Sequence, residues 1–160
     1  MHSPDDIREQ WKRERPDLDT EPMALLGRIE RLAAELEGRF APTFARLGLT
    51  AADFDVLATL RRAGTPFRLT PTELGRAMMV SAPGVTKRVD RLEQRGLIRR
   101  RPSPSDRRST VIELTSKGRR LVDEAVTAHV ADEKSVVSVL SASDRKRLAA
   151  LLDALSSGGT

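Results

Sequence analysis

Nine basic side chains lie between Lys87 and Arg108: Lys87, Arg88, Arg91, Arg95, Arg99, Arg100, Arg101, Arg107 and Arg108. Only Asp90, Glu93 and Asp106 oppose them, so this segment carries +6 while the whole 160-residue chain carries +5. The excess positive charge is therefore confined to one stretch, and the rest of the chain is slightly acidic. Guanidinium groups at this density pair with phosphates or carboxylates, often with two hydrogen bonds at once. That is the chemistry of holding a polyanion, not of making or breaking bonds. The remaining inventory agrees. There are two histidines, His2 and His129, and no cysteine, which excludes disulfides, thiol redox chemistry and Cys-ligated zinc. No glycine-rich loop ends in a phosphate-binding lysine, and no motif places a pair of carboxylates. His129, in the helical context Ala-His-Val, reads as a packed or surface residue. No catalytic residue, metal ligand or cofactor is expected, and the chain is not expected to be an enzyme.

The elements that carry this charge can be read from caps and breakers. Ser3-Pro4-Asp5-Asp6 is an N-cap, a proline in the first turn and two acids, opening a short helix to about Glu14. Pro16 ends it. A second helix starts at Thr20-Glu21-Pro22, with Met23, Leu26, Ile29, Leu32, Ala33 and Leu36 on one face. It continues through Phe40 and Phe44 to Gly48, with a kink expected at Pro42. Thr50 and Asp53 have the spacing of a capping box and open a helix over about 51–63. Thr70-Pro71-Thr72-Glu73 begins a short helix ending near Met79. Ser81 caps the next helix, Pro83 lies in its first turn and Gly96 stops it. Leu97–Arg101 and Thr110–Leu114 pair as strands around a turn at Pro102–Ser109. Thr115 or Ser116 caps a long helix from Lys117 to Val139. Ser141-Ala142-Ser143-Asp144 caps a last one, and 156–160 forms a disordered tail.

A short helix, a tight turn, a second helix and a basic hairpin make a winged helix-turn-helix. The expected fold is mainly α, with a two-stranded β-wing. At about 100° per residue, Val85, Val89 and Leu92 share the core side of the second helix. Gly84, Lys87, Arg91 and Arg95 share the solvent side. Arg88 lies between these sets, and Thr86, Asp90 and Glu93 take the other flank. A major groove admits such a helix, whose N-terminal side chains reach base edges, and Gly84 lets its backbone approach closely. The DNA-binding set is thus Ser81, Gly84, Thr86, Lys87, Arg88, Arg91, Arg95, Arg107 and Arg108. Wing arginines suit a narrow minor groove, and Asp106 can brace one of them.

The stretch LTPTELGRAMMVSAPGVTKRVDRLEQRGLIRRRPSPSDRRSTVIELTSKG, residues 69–118, resembles the MarR family of bacterial transcription regulators. The flanking helices match the same plan. The resemblance implies a homodimer whose terminal helices interlock and whose two winged regions bind a pseudo-palindromic double-stranded DNA operator. It also implies that Arg108 of Asp106-Arg107-Arg108 is the minor-groove arginine. The chain then reads as one domain, 1–160, with dimerisation helices at 4–48 and 117–156 and a DNA-binding region at 50–115. Apolar stripes support dimerisation independently. Met23 and Leu26 belong to one, and Leu148, Leu151, Leu152 and Leu155 to the other. Such faces need a partner, either another copy or each other.

The extra N-terminal helix carries the only tryptophan, Trp11. With W-K-R-E-R-P-D-L-D and DFDVLATLRRAG at 53–64, it is similar to a smaller branch of that family responsive to urate or trans-aconitate. The similarity implies an anion pocket built from Trp11, Asp55 and Arg88, with Arg100 as a second arginine, and release from DNA by a small organic anion. The competing assignment for Asp55 is a surface ion pair on a polar flank with Thr59 and Arg62. The competing functions are a non-specific nucleoid or RNA-binding winged-helix protein and a repressor with no ligand. The acidic N-terminus lacks a secretory apolar segment, and no run approaches the ~18 apolar residues that span a bilayer. A cytoplasmic protein without membrane partners is expected.

Overall fold

The computed structural model describes residues 3–78, 85–103 and 109–158. Ser81, Gly84, Asp106, Arg107 and Arg108 lie outside the described residues. The element order is α1 (Pro4–Glu14), α2 (Glu21–Arg46), α3 (Ala51–Arg62), β1 (Arg68–Leu69), α4 (Pro71–Ala77), α5 (Val85–Gln94), β2 (Ile98–Pro102), β3 (Thr110–Leu114), α6 (Ser116–Val137) and α7 (Ala142–Ser157). Two compact units result, Met1–Pro42 and Thr43–Thr160.

The helix starts follow from the caps. Ser3, Thr50, Thr70, Thr115 and Ser141 each accept a hydrogen bond from the backbone N–H three residues on. Each satisfies a donor that the first helical turn leaves without a partner. Pro42 lies inside α2 without ending it. The expected disordered tail begins too early in the sequence reading, because Ser156 and Ser157 are still helical. Their hydroxyls donate to Leu152 O and Asp153 O, and Gly158 N–H closes on Ala154 O.

In the N-terminal unit, Arg28 of α2 donates to both carboxylate oxygens of Asp5 on α1, at 2.7 and 2.6 Å. Gly27 faces the Cβ of Pro4. An apolar groove of about 800 Å³ is lined by Pro4 and Ile7 of α1 and by Met23, Leu26 and Ala34 of α2. Trp11 is exposed.

In the second unit, α3 is the central post. It packs against α4, α5, α6 and β3, and Val56, Leu57 and Leu60 are wholly buried. Truncating Leu57 to Ala would cost about 2–5 kcal/mol. Leu74, Val89, Leu92, Ile98, Ile112 and Val122 close the core around it. His129 packs against the stacked pair Phe44 and Phe54, with ring centroids 5.0 and 5.2 Å away.

The sheet is antiparallel, with strand order β1-β3-β2. β2 and β3 form the expected hairpin, with Ile98 opposite Leu114 and Pro102 opposite Thr110. The third strand, β1, was not anticipated. Arg68 and Leu69 pair with Glu113 and Ile112, and two residues are too few for an alternation to show. The start of α6 is pressed against the start of β2. A Cβ on Gly118 would sit 1.9 Å from Leu97 O. Thr115 Oγ1 accepts from Gly118 N–H and lies within bonding distance of both Gly96 O and Leu97 O. Among the described residues, no helix is long and apolar enough to cross a membrane.

Candidate nucleic-acid interface

α5 divides its faces as its spacing predicts. Val89 and Leu92 are buried and Val85 is half-buried, while Lys87 and Arg91 are exposed and Arg88 is intermediate. Gly96, at φ 68°, turns the chain out of the helix, a conformation that costs glycine little. Leu97 N–H then bonds Leu92 O at 3.0 Å, and β2 begins one residue later. Helix and wing are therefore joined by a single tight turn.

Strand alternation sorts the wing arginines onto two faces. Arg99 and Arg101 point to one side, where both meet Glu113 on β3, at 2.6 and 3.8 Å. Arg100 points to the other, toward α5. Its backbone N–H donates to Glu93 Oε1 at 2.8 Å, and its guanidinium pairs with both Glu93 and Asp90. Hydrogen bonding to Asp90, with Glu93 in support, raises the Arg100 pKa still further above its ordinary value. The clamp fixes the wing to the flank of α5. Exposed pairs of this kind contribute about 0–1 kcal/mol each to stability, so their effect here is orientation.

Arg91 is held from the other side. Its guanidinium donates to Asp53 of α3, whose side chain is 2 % exposed, while Arg91 itself is 50 % exposed. Burial pushes the Asp53 carboxyl up. The hydrogen bonds from Arg91 and from Thr50, with the Arg91 charge, outweigh that and hold it below the usual carboxylate range.

The interface is thus less positive than its sequence. Of the described cations in the segment, Arg91, Arg99, Arg100 and Arg101 are ion-paired. Among the described residues, Lys87, Arg88 and the Arg95 guanidinium make no ion pair. These three cations lie on α5 or at its C-terminal end, and Lys117 Nζ donates to the Arg95 carbonyl at 2.9 Å.

Two expectations need correction. Asp55 does not lie on a polar surface flank with Thr59. Both are buried, at 6 % and 1 % exposure, because α4, α5, α6 and β3 wrap α3 on more than one side. Arg62 is exposed and donates to Ala77 O of α4. Arg100 is not an open anion ligand, since Asp90 and Glu93 occupy its fork. Sequence reasoning missed the partners, Asp53 for Arg91 and Glu113 for Arg99. Asp53 was legible only as a capping residue, and Glu113 only as a member of the second wing strand; its register opposite Arg99 comes from the fold.

Comparison with known proteins fits this geometry. Residues 47–109 match the model of the MarR family. The transcriptional regulator PecS of Dickeya dadantii is 42 % identical over 147 residues, covering 92 % of this chain and 89 % of its own. The chain belongs to the MarR family. Its members are transcriptional regulators and not enzymes, so this MarR-family chain is a DNA-binding regulator. Among solved structures, Sco3205 of Streptomyces coelicolor, a MarR-family regulator in complex with DNA, superposes with a TM-score of 0.75. It is 25 % identical and covers 89 % of this chain and 94 % of its own. BpsR of Bordetella bronchiseptica, whose DNA binding is regulated by 6-hydroxynicotinic acid, gives a TM-score of 0.69 at 30 % identity, over 81 % and 91 % of the two chains.

Proposed function

We propose that this MarR-family regulator is a sequence-specific repressor that binds a pseudo-palindromic operator as a homodimer and is released by a small organic anion. The observation that carries the DNA part is α5. Its core side is buried; Lys87 on its solvent side, Arg88 on its flank and Arg95 just past its end make no ion pair among the described residues, and Thr86 and Arg91 are exposed beside them. A rigid basic helix of this kind, braced to a wing, suits a major groove. Ser81, Gly84, Arg107 and Arg108 complete the contact set read from the sequence.

Dimerisation is supported by apolar side chains left open to solvent. Leu148, Leu151, Leu152 and Leu155 on α7 are 42–55 % exposed, and Met23 and Leu26 on α2 are 47 % and 51 % exposed. α7 buries no residue at all. A second copy covering these faces would present two α5 helices about 34 Å apart, one turn of duplex.

Anion release rests on the sequence resemblance of the N-terminal helix and of residues 53–64 to a urate- or trans-aconitate-responsive branch, and on the 6-hydroxynicotinic acid regulation of BpsR. Asp55 and Arg88 of the second unit are the residues proposed for it.

The test is selection of genomic fragments by the purified protein, repeated with urate and with trans-aconitate. The expected result is one inverted-repeat motif with half-sites a turn apart, depleted by one of the anions. Fragments sharing no motif would favour a non-specific nucleoid protein. A motif that neither anion weakens would leave a repressor without this class of ligand.

A further inference from the structure

Among the described residues, three capping boxes have an acidic N3 residue, and one of them is unlike the others. In α1 the N3 carboxylate of Asp6 accepts from Ser3 N–H, and in α4 that of Glu73 accepts from Thr70 N–H. Both side chains are exposed, which is all a cap requires. In α3 the N3 residue is Asp53. Its Oδ2 accepts from Thr50 N–H at 3.0 Å, as a cap should. Its Oδ1 accepts from Nη2 of Arg91 on α5, 38 residues away, and the side chain is almost wholly buried. Burial and the second oxygen are surplus to capping. Burying a carboxylate is costly unless it is paired, so the arrangement requires Arg91 to stay.

Among the described residues, Arg91 in turn is the one cation on the α5 solvent face that is tied down. Lys87 and Arg95 on the same face make no ion pair among the described residues. A guanidinium carries five N–H donors in a rigid plane. Asp53 engages one edge, and half of the side chain remains exposed. The anchor is rigid, because α3 is the central helix of the unit.

We propose that Asp53 is a positioning residue for operator recognition. It grips one edge of Arg91 so that the remaining N–H groups meet the DNA in a single orientation, and it cancels the charge that would otherwise attract any duplex. Arg91 thereby supplies discrimination rather than general affinity. A pre-oriented side chain loses less conformational freedom on binding, and a neutralised one releases fewer counterions. This rests on the operator-binding role of α5 proposed above.

The experiment measures affinity for a selected operator and for a scrambled duplex across a salt series. It uses the full chain and the variants Asp53→Asn, Arg91→Gln, Arg91→Lys and Asp53→Asn/Arg91→Gln. Asparagine keeps the size and an oxygen for the Thr50 N–H, and thermal melting checks that each variant is folded. In Asp53→Asn the preference for operator should fall about tenfold, the effect of one loosened base contact. Scrambled DNA should bind at least as well as before, with a salt slope steeper by about one unit per copy. Arg91→Lys keeps the charge but not the fork, and should lose a similar preference with little change in slope. In the Arg91→Gln background, Asp53→Asn should have no further effect on preference. An Asp53→Asn protein with wild-type preference and slope overturns the proposal. An equal loss of preference in the Arg91→Gln background also overturns it, since Asp53 would then act through helix packing. Wild-type protein that does not distinguish the two duplexes removes operator recognition itself, and the proposal with it.

Discussion

Gly118→Ala is a single methyl group placed where helix and wing are most closely fitted. Its Cβ would lie 1.9 Å from Leu97 O and 2.8 Å from Leu97 C, both backbone atoms. Ordinary contact needs about 3.4 Å or more, so the first turn of α6 must move away from β2 by roughly 1–1.5 Å, and overpacking of this kind costs about 1–3 kcal/mol. The movement also loosens the Thr115 hydrogen bonds to Gly96 O and Leu97 O, which adds about 1 kcal/mol. Alanine returns up to about 1 kcal/mol through better helix propensity. The net loss is about 1–3 kcal/mol, a fall in Tm of roughly 2–12 °C for a chain of this size. Thermal melting by circular dichroism measures it. Because Lys117 Nζ binds Arg95 O, the same movement should weaken DNA binding. A variant that melts at or above the wild-type temperature would refute the close approach of α6 to β2.

Three further outcomes are expected. Arg100→Ala should uncouple the wing from α5 and leave Asp90 and Glu93 unopposed beside the DNA face, weakening operator binding severalfold while Tm moves little; unchanged binding would make the clamp irrelevant to recognition. The Asp53 carboxyl has its folded pKa below the ordinary 3.8, so its stabilisation is present above about pH 4 and is lost as pH falls through the lower folded value; Tm should drop more steeply below about pH 4 in wild type than in Asp53→Asn, and parallel acid limbs would contradict this. Leu148→Asp with Leu152→Asp should give monomer or unfolded chain by sedimentation, since each charge buried without a partner costs several kcal/mol; a stable dimer would place the interface elsewhere.

Much of the architecture was legible because local chemistry fixes it. Ser3, Thr50, Thr70 and Ser141 announce helix starts within their own first turns, and Gly96 announces the end of α5. The division of α5 into a buried side with Val89 and Leu92 and a basic side follows from spacing alone. What escaped is long-range. β1 is two residues whose only reason to be a strand is β3, far along the chain. Asp55 and Thr59 look polar on a wheel, yet α3 is wrapped by its neighbours and buries them. The sequence showed nine cations against Asp90, Glu93 and Asp106 only as a net charge, whereas in the fold Asp53, Asp90, Glu93 and Glu113 hold Arg91, Arg99, Arg100 and Arg101. Asp53 and Glu113 are far from their partners in sequence, and only the folded arrangement brings them together.

The central claim is that α5 reads sequence and does not merely attract phosphate. The direct measurement is the dependence of log affinity on log salt for a selected operator and a scrambled duplex, with wild type and Lys87→Ala. Each phosphate contact contributes a slope of about −0.9. With Arg91, Arg99, Arg100 and Arg101 already ion-paired, the seven described cations between Lys87 and Arg101 in each copy should act closer to three than to seven in number. The operator should stay tightly bound at salt concentrations that release the scrambled duplex, and Lys87→Ala should weaken it. Identical affinities and slopes on the two duplexes would contradict sequence reading by α5.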